Sequence, residues 1–346
     1  MFIRYGNNAQ GKYVKTAVAY TACEHKIDIA KVDPNACHII ERLQNHGYES
    51  YLVGGAVRDL LLGNTPKDFD IATAATPAKI RTLFRNSRVI GRRFRLVHIY
   101  VGENLYEVST FRSTQDGSVG NRYGKIEEDV RRRDFSCNAL YYDPVKQLLI
   151  DYVQGFRDIQ KKVLKPVISR KVIFVEDPVR LIRAIKYACS TKSKIPLLLK
   201  MQIKRQAYLL EGISPSRLSE EINKIFLSSN MCEIVKMLFN YGLYNYIQPN
   251  ACVFMNESKE FYKCYFSSLK ELNNLIVTGH IKYQSQFLPF LIRDYIFLIS
   301  NVPYQTRKEL YDFVYRETRH FILPMNPQRK ELEAAVRTCL KNMINR

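Results

Sequence analysis

The sequence predicts an α+β protein, with a head of short strands and helices followed by an all-helical remainder. Two observations predict it. As far as about residue 110, short apolar runs such as ESYLV, RLVHIYV and LYEVSTF read as strands and are punctuated by glycine turns. From about residue 176 onward that pattern gives way to helical stripes: VRLIRAIKYA, RLSEEINKIFL and CEIVKMLFNYG.

Residues 1–35 lack a strong period and are expected to be an N-terminal extension. DPNACHIIERLQNHG (33–47) predicts a helix, with Asp33 as cap, Pro34 in the first position, an Ile39/Ile40/Leu43 stripe and Gly47 as stop. ESYLVGGA predicts a strand running into a glycine turn, and VRDLLLG a short helix ending at Gly63. DFDIAT predicts a strand with Asp68 and Asp70 on one face. TPAKIRTLFRN predicts a helix capped by Thr76. RLVHIYV and LYEVSTF predict two strands joined by a tight GEN link. Residues 112–130 are polar and glycine-containing and predict a loop. The expected divisions are 1–35 (extension), 36–165 (head), 166–235 (helical neck) and 236–346 (helical body).

The chain has 346 residues, long enough for two or three domains. Lys and Arg number 53 against 33 Asp and Glu, a formal charge of +20 that favours a polyanionic partner. The 23 Tyr and 18 Phe supply rings for stacking on bases, although most are expected in the core. Eight cysteines show no CxxC spacing and no cluster with the six histidines, which argues against structural zinc. Scattered thiols suit a reducing compartment, so a cytoplasmic location is expected. The N-terminus shows no apolar core of signal-peptide length. FLPFLIRDYIFLIS (287–300) is broken by Arg293 and Asp294, so no membrane span is expected.

Asp68 and Asp70 alone are weak evidence, because roughly one such spacing arises by chance in a chain of this size. The plain reading is a pair of solvated loop aspartates. On a strand, however, two like charges on one face repel unless a cation sits between them. Mg²⁺ takes such carboxylates together with substrate phosphates, and metals on paired carboxylates serve phosphoryl or nucleotidyl displacement. Gly54-Gly55 follows a strand and opens a helix, with Arg58 one turn on, a pattern able to cradle phosphates; the plain alternative is a simple turn. Glu107 is a candidate third carboxylate. RRRDFSCNAL (131–140) places Asp134 behind three arginines, which a salt-bridged helix start also explains. EDPVRLIRA (176–184) carries Glu176, Asp177, Arg180 and Arg183 at expected helical spacing. It reads either as a charged helix start or as a carboxylate and guanidinium that pair with a base. Arg92, Arg93 and Arg95 of VIGRRFRLVH read as an exposed basic hairpin or as RNA phosphate contacts.

LVGGAVRDLLLG…KDFDIAT, RRRDFSCNAL, EDPVRLIRA and SPSRLSEEI resemble, in order, motifs of the class II tRNA nucleotidyltransferases and bacterial poly(A) polymerases, within the DNA polymerase beta superfamily. The resemblance covers roughly residues 35–225. VIGRRFRLVH is similar to the segment that marks the poly(A) polymerases among them. Ser136 stands where the family has Thr, and Cys137 where it has an aliphatic residue.

The resemblance implies a small mixed-sheet nucleotidyltransferase head with a helical neck and body. It implies Mg²⁺-dependent addition of AMP from ATP to RNA 3′ ends. Asp68 and Asp70 would be metal ligands and Asp134 the third catalytic candidate, with Glu107 as its rival. Gly54, Gly55, Arg58, Arg133 and Asn138 would lie at the nucleotide, and Asp177, Arg180 and Arg183 would read its base. CCA addition to tRNA is the first alternative. A catalytically silent RNA-binding homologue is the second.

Overall fold

The computed structural model describes residues 1–7, 12–91, 96–115, 122–300, 303–304 and 306–344. The chain divides into two compact units, Met1–Asp177 with Thr191–Pro196, and Pro178–Ser190 with Leu197–Arg346.

The first unit is built on one mixed sheet. Its strands are β1 (Phe2–Asn7), β2 (Tyr13–Tyr20), β3 (Ser50–Val53), β4 (Ile71–Thr73), β5 (Ser87–Ile90), β6 (Leu96–Val101), β7 (Asn104–Thr110), β8 (Leu140–Asp143) and β9 (Leu148–Asp151). They lie in the order β1-β2-β9-β8-β3-β4-β7-β6-β5. The β4–β7 pair is parallel and the other pairings are antiparallel. Central β3 is buried along its whole length, as a strand covered on both faces must be. Tyr51, Val53, Ala72, Phe111, Ile126 and Tyr141 belong to one buried cluster that also takes in Ala17 of β2.

The helix Pro34–Asn45 forms where its signals stand: the Asp33 carboxylate accepts from Asn35 N at 2.7 Å and Ala36 N at 3.3 Å, and Gly47 takes φ +82°. The GEN link closes β6 onto β7, with Gly102 at φ +59°. Thr76 precedes the helix Pro77–Leu83 in extended backbone, but its hydroxyl makes no capping bond.

Several expectations are corrected. The N-terminal residues are no loose extension: β2 pairs with β9, so β1 and β2 complete one side of the sheet. Their inward residues are Ala17 and Ala19, too small to give an amphipathic signal. The polar stretch 112–130 holds a helix, Ile126–Arg131, whose Ile126 and Val130 are buried. DFDIAT is strand only over Ile71–Thr73; Asp68 and Asp70 precede it. RRRDFSCNAL does not start a helix: Arg131 ends one, and a single 3-10 turn covers Ser136–Asn138.

Among its described residues, the second unit has only helical regular structure. The helices are Val179–Ser190, Leu197–Arg205, Pro215–Phe226, Met231–Asn240, Pro249–Glu257, Lys259–Val277, Gln284–Ile299, Arg307–Phe321 and Arg329–Ile344, with short 3-10 turns between some of them. The Tyr244 hydroxyl meets Gln248 Oε1 at 2.9 Å and the Tyr265 hydroxyl at 2.8 Å inside this unit, and Tyr295 stacks on Phe321 at 4.1 Å. The expected boundary at 165 falls instead between Asp177 and Pro178, and Met231–Asn240 runs across the expected boundary at 235. Among the described residues no helix is long and apolar enough to cross a membrane.

Candidate active site

The site starts from a backbone turn. Gly54 adopts φ +69° and ψ −127°, a conformation that side chains with a Cβ rarely enter. A Cβ at Gly54 would stand 3.8 Å from Asp70 Oδ2 and 3.9 Å from Arg133 Nη1. The turn, the carboxylate and the guanidinium therefore meet at one point. Val53 N donates to Asp70 O at 3.0 Å, which ties Asp70 to the end of the sheet although its side chain is exposed. Asp68, two residues earlier, is exposed as well. Gly55 has an ordinary φ, and a Cβ there would touch only Arg58 Nη2, at 3.6 Å.

The helix after the turn, Gly55–Leu61, has seven residues, so its dipole is small and the positive charge here comes from guanidinium groups. Arg58 Nη1 donates to Asn138 Oδ1 at 2.7 Å, and its Nη2 lies 2.9 Å from Asp59 Oδ1. Asn138 Nδ2 donates to Asp134 Oδ1 at 3.4 Å, and the same oxygen accepts from Phe135 N at 2.7 Å. Asp134 is buried, and its backbone carbonyl accepts from Val167 N. Arg133 is held on three sides: Nη1 donates to Asn138 O at 3.3 Å, Nε to the Tyr141 hydroxyl at 2.8 Å, and Nη2 to Asp129 Oδ2 at 3.0 Å. The Tyr141 hydroxyl donates to the same Asp129 oxygen at 2.6 Å.

The electrostatics follow from these contacts. Burial works against the Arg133 charge, but Tyr141 and Asp129 outweigh it and hold the guanidinium pKa above its usual value. Burial also pushes the Asp129 carboxyl up, and Arg133 and Tyr141 reverse this, leaving it below the usual carboxylate range. Arg132 is lowered to about 10 by burial and by neighbouring Arg112. Burial raises the Cys137 thiol to about 12, which removes it as a nucleophile.

The structure thus gathers Gly54, Asp70, Arg133, Asn138, Arg58 and Asp134 through the contacts above. Among the described residues no three His, Cys, Asp or Glu side chains form a group able to hold a metal. Asp134 anchors Asn138, and the exposed Glu107 faces His98 Nε2 at 3.5 Å. Asp68 and Asp70 are exposed oxygen donors, a set that suits a hydrated divalent cation.

Asp177 and Arg180 do not share a helical face. Asp177 is extended, φ −150°, because the residue before a proline avoids helical backbone. Arg180 is a buried residue of the helix Val179–Ser190. Arg183 donates from Nε and Nη2 to the Tyr187 hydroxyl, at 2.9 and 2.7 Å. Arg92, Arg93 and Arg95 lie outside the described residues. Sequence reasoning missed Asp129 and Tyr141. Asp129 stands four residues before Arg133, a spacing that signals an ion pair; Tyr141 carries no comparable signal.

A family described as "Poly A polymerase head domain" matches residues 50–165, and one described as "Probable RNA and SrmB- binding site of polymerase A" matches residues 198–255. Poly(A) polymerase I of Salmonella typhi is 40% identical over 251 residues, 68% of this chain and 54% of that protein. The CCA-adding enzyme of Geobacillus thermodenitrificans is 34% identical over 218 residues, 61% of this chain and 54% of that protein. The chain thus spans about half the length of the curated relatives it matches. The Bacillus stearothermophilus CCA-adding enzyme in complex with CTP shares the fold, with a TM-score of 0.59 and 23% identity over 90% of this chain and 83% of that one. The motifs, the mixed sheet and these matches agree, and the chain belongs to the family of class II tRNA nucleotidyltransferases and bacterial poly(A) polymerases.

Proposed function

We propose that the chain adds AMP from ATP to RNA 3′ ends without a nucleic-acid template. The observation that carries the reading is the meeting of Asp70 and Arg133 at the Gly54 turn. A turn in glycine's backbone conformation, with a carboxylate on one side and a firmly charged guanidinium on the other, suits a metal-bound triphosphate.

Asp68 and Asp70 would hold Mg²⁺. In a two-metal arrangement, one such ion would make the RNA 3′-hydroxyl more acidic and a second would offset charge on the pyrophosphate. Arg133 and Arg58 offset charge on the phosphates. Asp134 acts at one remove: it fixes Asn138, which fixes Arg58 and Arg133. The 3′-oxygen attacks the α-phosphorus of ATP in line and pyrophosphate leaves, so no protein nucleophile is needed. Asp177 and Arg180 keep the base-reading role that their motif implies.

The 40% identity to a poly(A) polymerase favours adenylate addition. CCA addition is the second reading, favoured by the 34% identity to a CCA-adding enzyme. Incubating the protein with short RNA, Mg²⁺ and each nucleotide in turn separates them. Extension with ATP alone is expected. Efficient CTP addition to a tRNA lacking its 3′ end would replace the first reading with the second, and no extension with any nucleotide would overturn both.

A further inference from the structure

We infer that the β1–β2 hairpin is a second binding surface for single-stranded RNA, taking nucleotides upstream of the 3′ end by base stacking. The inference rests on the reading that the chain acts on RNA. It concerns residues outside the segments matched by either family.

The observation is a pair of stacked rings left in solvent. Tyr5 and Tyr13 lie 5.3 Å apart at an interplanar angle of 14°, yet they are 52% and 69% exposed. By strand alternation Tyr13, Lys15 and Ala17 share a face, and Lys15 is the cross-strand partner of Tyr5. On that face Ala17 enters the buried core. The tyrosines and Lys15, farther along the strands, do not. Rings in contact and open to water present a π-face, the feature on which bases of any sequence stack.

Charge points to a polyanion. The first twenty residues hold Arg4, Lys12 and Lys15 and no Asp or Glu. An incoming protein strand would find hydrogen-bonding groups along β1, an edge of the sheet, but would have no use for a stacked tyrosine pair beside lysines.

A cleft of about 470 Å³ adjoins the pair, lined by Arg4, Tyr5, Thr16, Phe111, Lys125 and Tyr152. Glu49 and Glu127 also line it, and Glu49 approaches Arg4 at 4.0 Å. Two cations against two carboxylates make the cleft a poor phosphate site and a suitable place for a base, with phosphates toward the lysines. The cleft reaches Glu49 and Ala74, at the ends of β3 and β4 opposite to Gly54 and Asp70. Upstream nucleotides can therefore occupy it without competing for the catalytic end.

The test measures RNA binding without ATP or Mg²⁺, so that it stands apart from catalysis. Fluorescence anisotropy is read with labelled oligo(A) of about twenty nucleotides, longer than the roughly 4–16-nucleotide sites of stacking platforms, and with a trinucleotide, shorter than them. The double variant Tyr5→Ala, Tyr13→Ala is expected to bind the long RNA roughly tenfold more weakly, in keeping with the loss of base stacking. Trinucleotide binding is expected to stay unchanged. Tyr5→Phe, Tyr13→Phe keeps the rings and is expected to bind as the native protein does. Ultraviolet crosslinking is expected to attach the long RNA to the hairpin. Unchanged affinity in the alanine variant overturns the inference. So does unchanged RNA affinity with loss of self-association in the alanine variant, which would make the edge a protein contact. If the native protein extends no RNA but still binds it through Tyr5 and Tyr13, the inference stands and the catalytic reading falls.

Discussion

Arg133 is the residue on which the candidate site turns, and Asp129 and Tyr141 hold its guanidinium in place. Arg133 and Tyr141 hold the Asp129 carboxyl below its ordinary range despite burial. The stabilisation that follows is complete above the unfolded value, about pH 4, and is lost as pH falls through the lower folded value. Thermal melts between neutral and strongly acid pH are expected to show this acid limb in the native protein and a flatter one in Asp129→Asn. A limb that survives the substitution would place its origin elsewhere. Gly54 is argued the same way. Gly54→Ala forces a side chain into φ +69°, a strain of about 1–3 kcal/mol, and sets a methyl against Asp70 and Arg133. Extension activity is expected to fall by orders of magnitude while the far-ultraviolet circular dichroism stays native. Asp70→Asn, at an exposed position, is expected to lose activity with no change in melting temperature. Near-native turnover in either variant would remove its residue from the site. Gly54 and Asp70 were legible in the sequence because a glycine pair and a DxD spacing are local patterns. Tyr141 was not, because its hydroxyl meets Asp129 only once β8 is paired and the helix Ile126–Arg131 is formed.

At the scale of elements, legibility followed side-chain size. The helix Pro34–Asn45 was readable from its cap, its proline and its large aliphatic stripe. Strand β2 was not, since its inward side chains are alanines, which carry little apolar area although they are 2% and 3% exposed. The helix Ile126–Arg131 was hidden for a related reason. One turn with three acidic residues and two buried aliphatics reads as polar loop. Asp177 stands outside the helix although EDPVRLIRA has helical spacing, because Pro178 keeps the backbone before it extended. The integration of β2 has a measurable consequence. Ala17→Asp would bury a carboxylate in the cluster formed with Phe111 and Ile126, at a cost of roughly 3–5 kcal/mol. Lys15→Asp, on the same strand but exposed, is expected to stay within about 0.5 kcal/mol of the native protein. Urea unfolding compares the two. Equal stabilities would mean that the strand is only loosely attached.

At the scale of the molecule, the feature to explain is charge. Lys and Arg exceed Asp and Glu by 20, a surplus that repels itself and therefore opposes compactness. The surplus is spread along the chain, from Lys12 and Lys15 to Lys259, Lys263 and Lys270. A single cation–carboxylate pair such as Arg293–Glu271 neutralises itself, but a surplus needs an outside anion. RNA, the substrate proposed above, would supply one with a particular signature. Each phosphate neutralised on a single strand releases about 0.7 of a counterion, so affinity falls linearly on a log–log plot against salt. Four contacts give a slope of about −2.8, or roughly a fiftyfold loss of affinity between 50 and 200 mM salt. The native protein is expected to show at least that slope with oligo(A), and Lys15→Gln a slope shallower by about 0.7. The alanine variant of Tyr5 and Tyr13 is expected to lower affinity at every salt concentration without changing the slope, because stacking releases no counterion. Anisotropy titrations across a salt series measure both quantities at once. A flat dependence on salt would mean that the positive surplus serves something other than RNA.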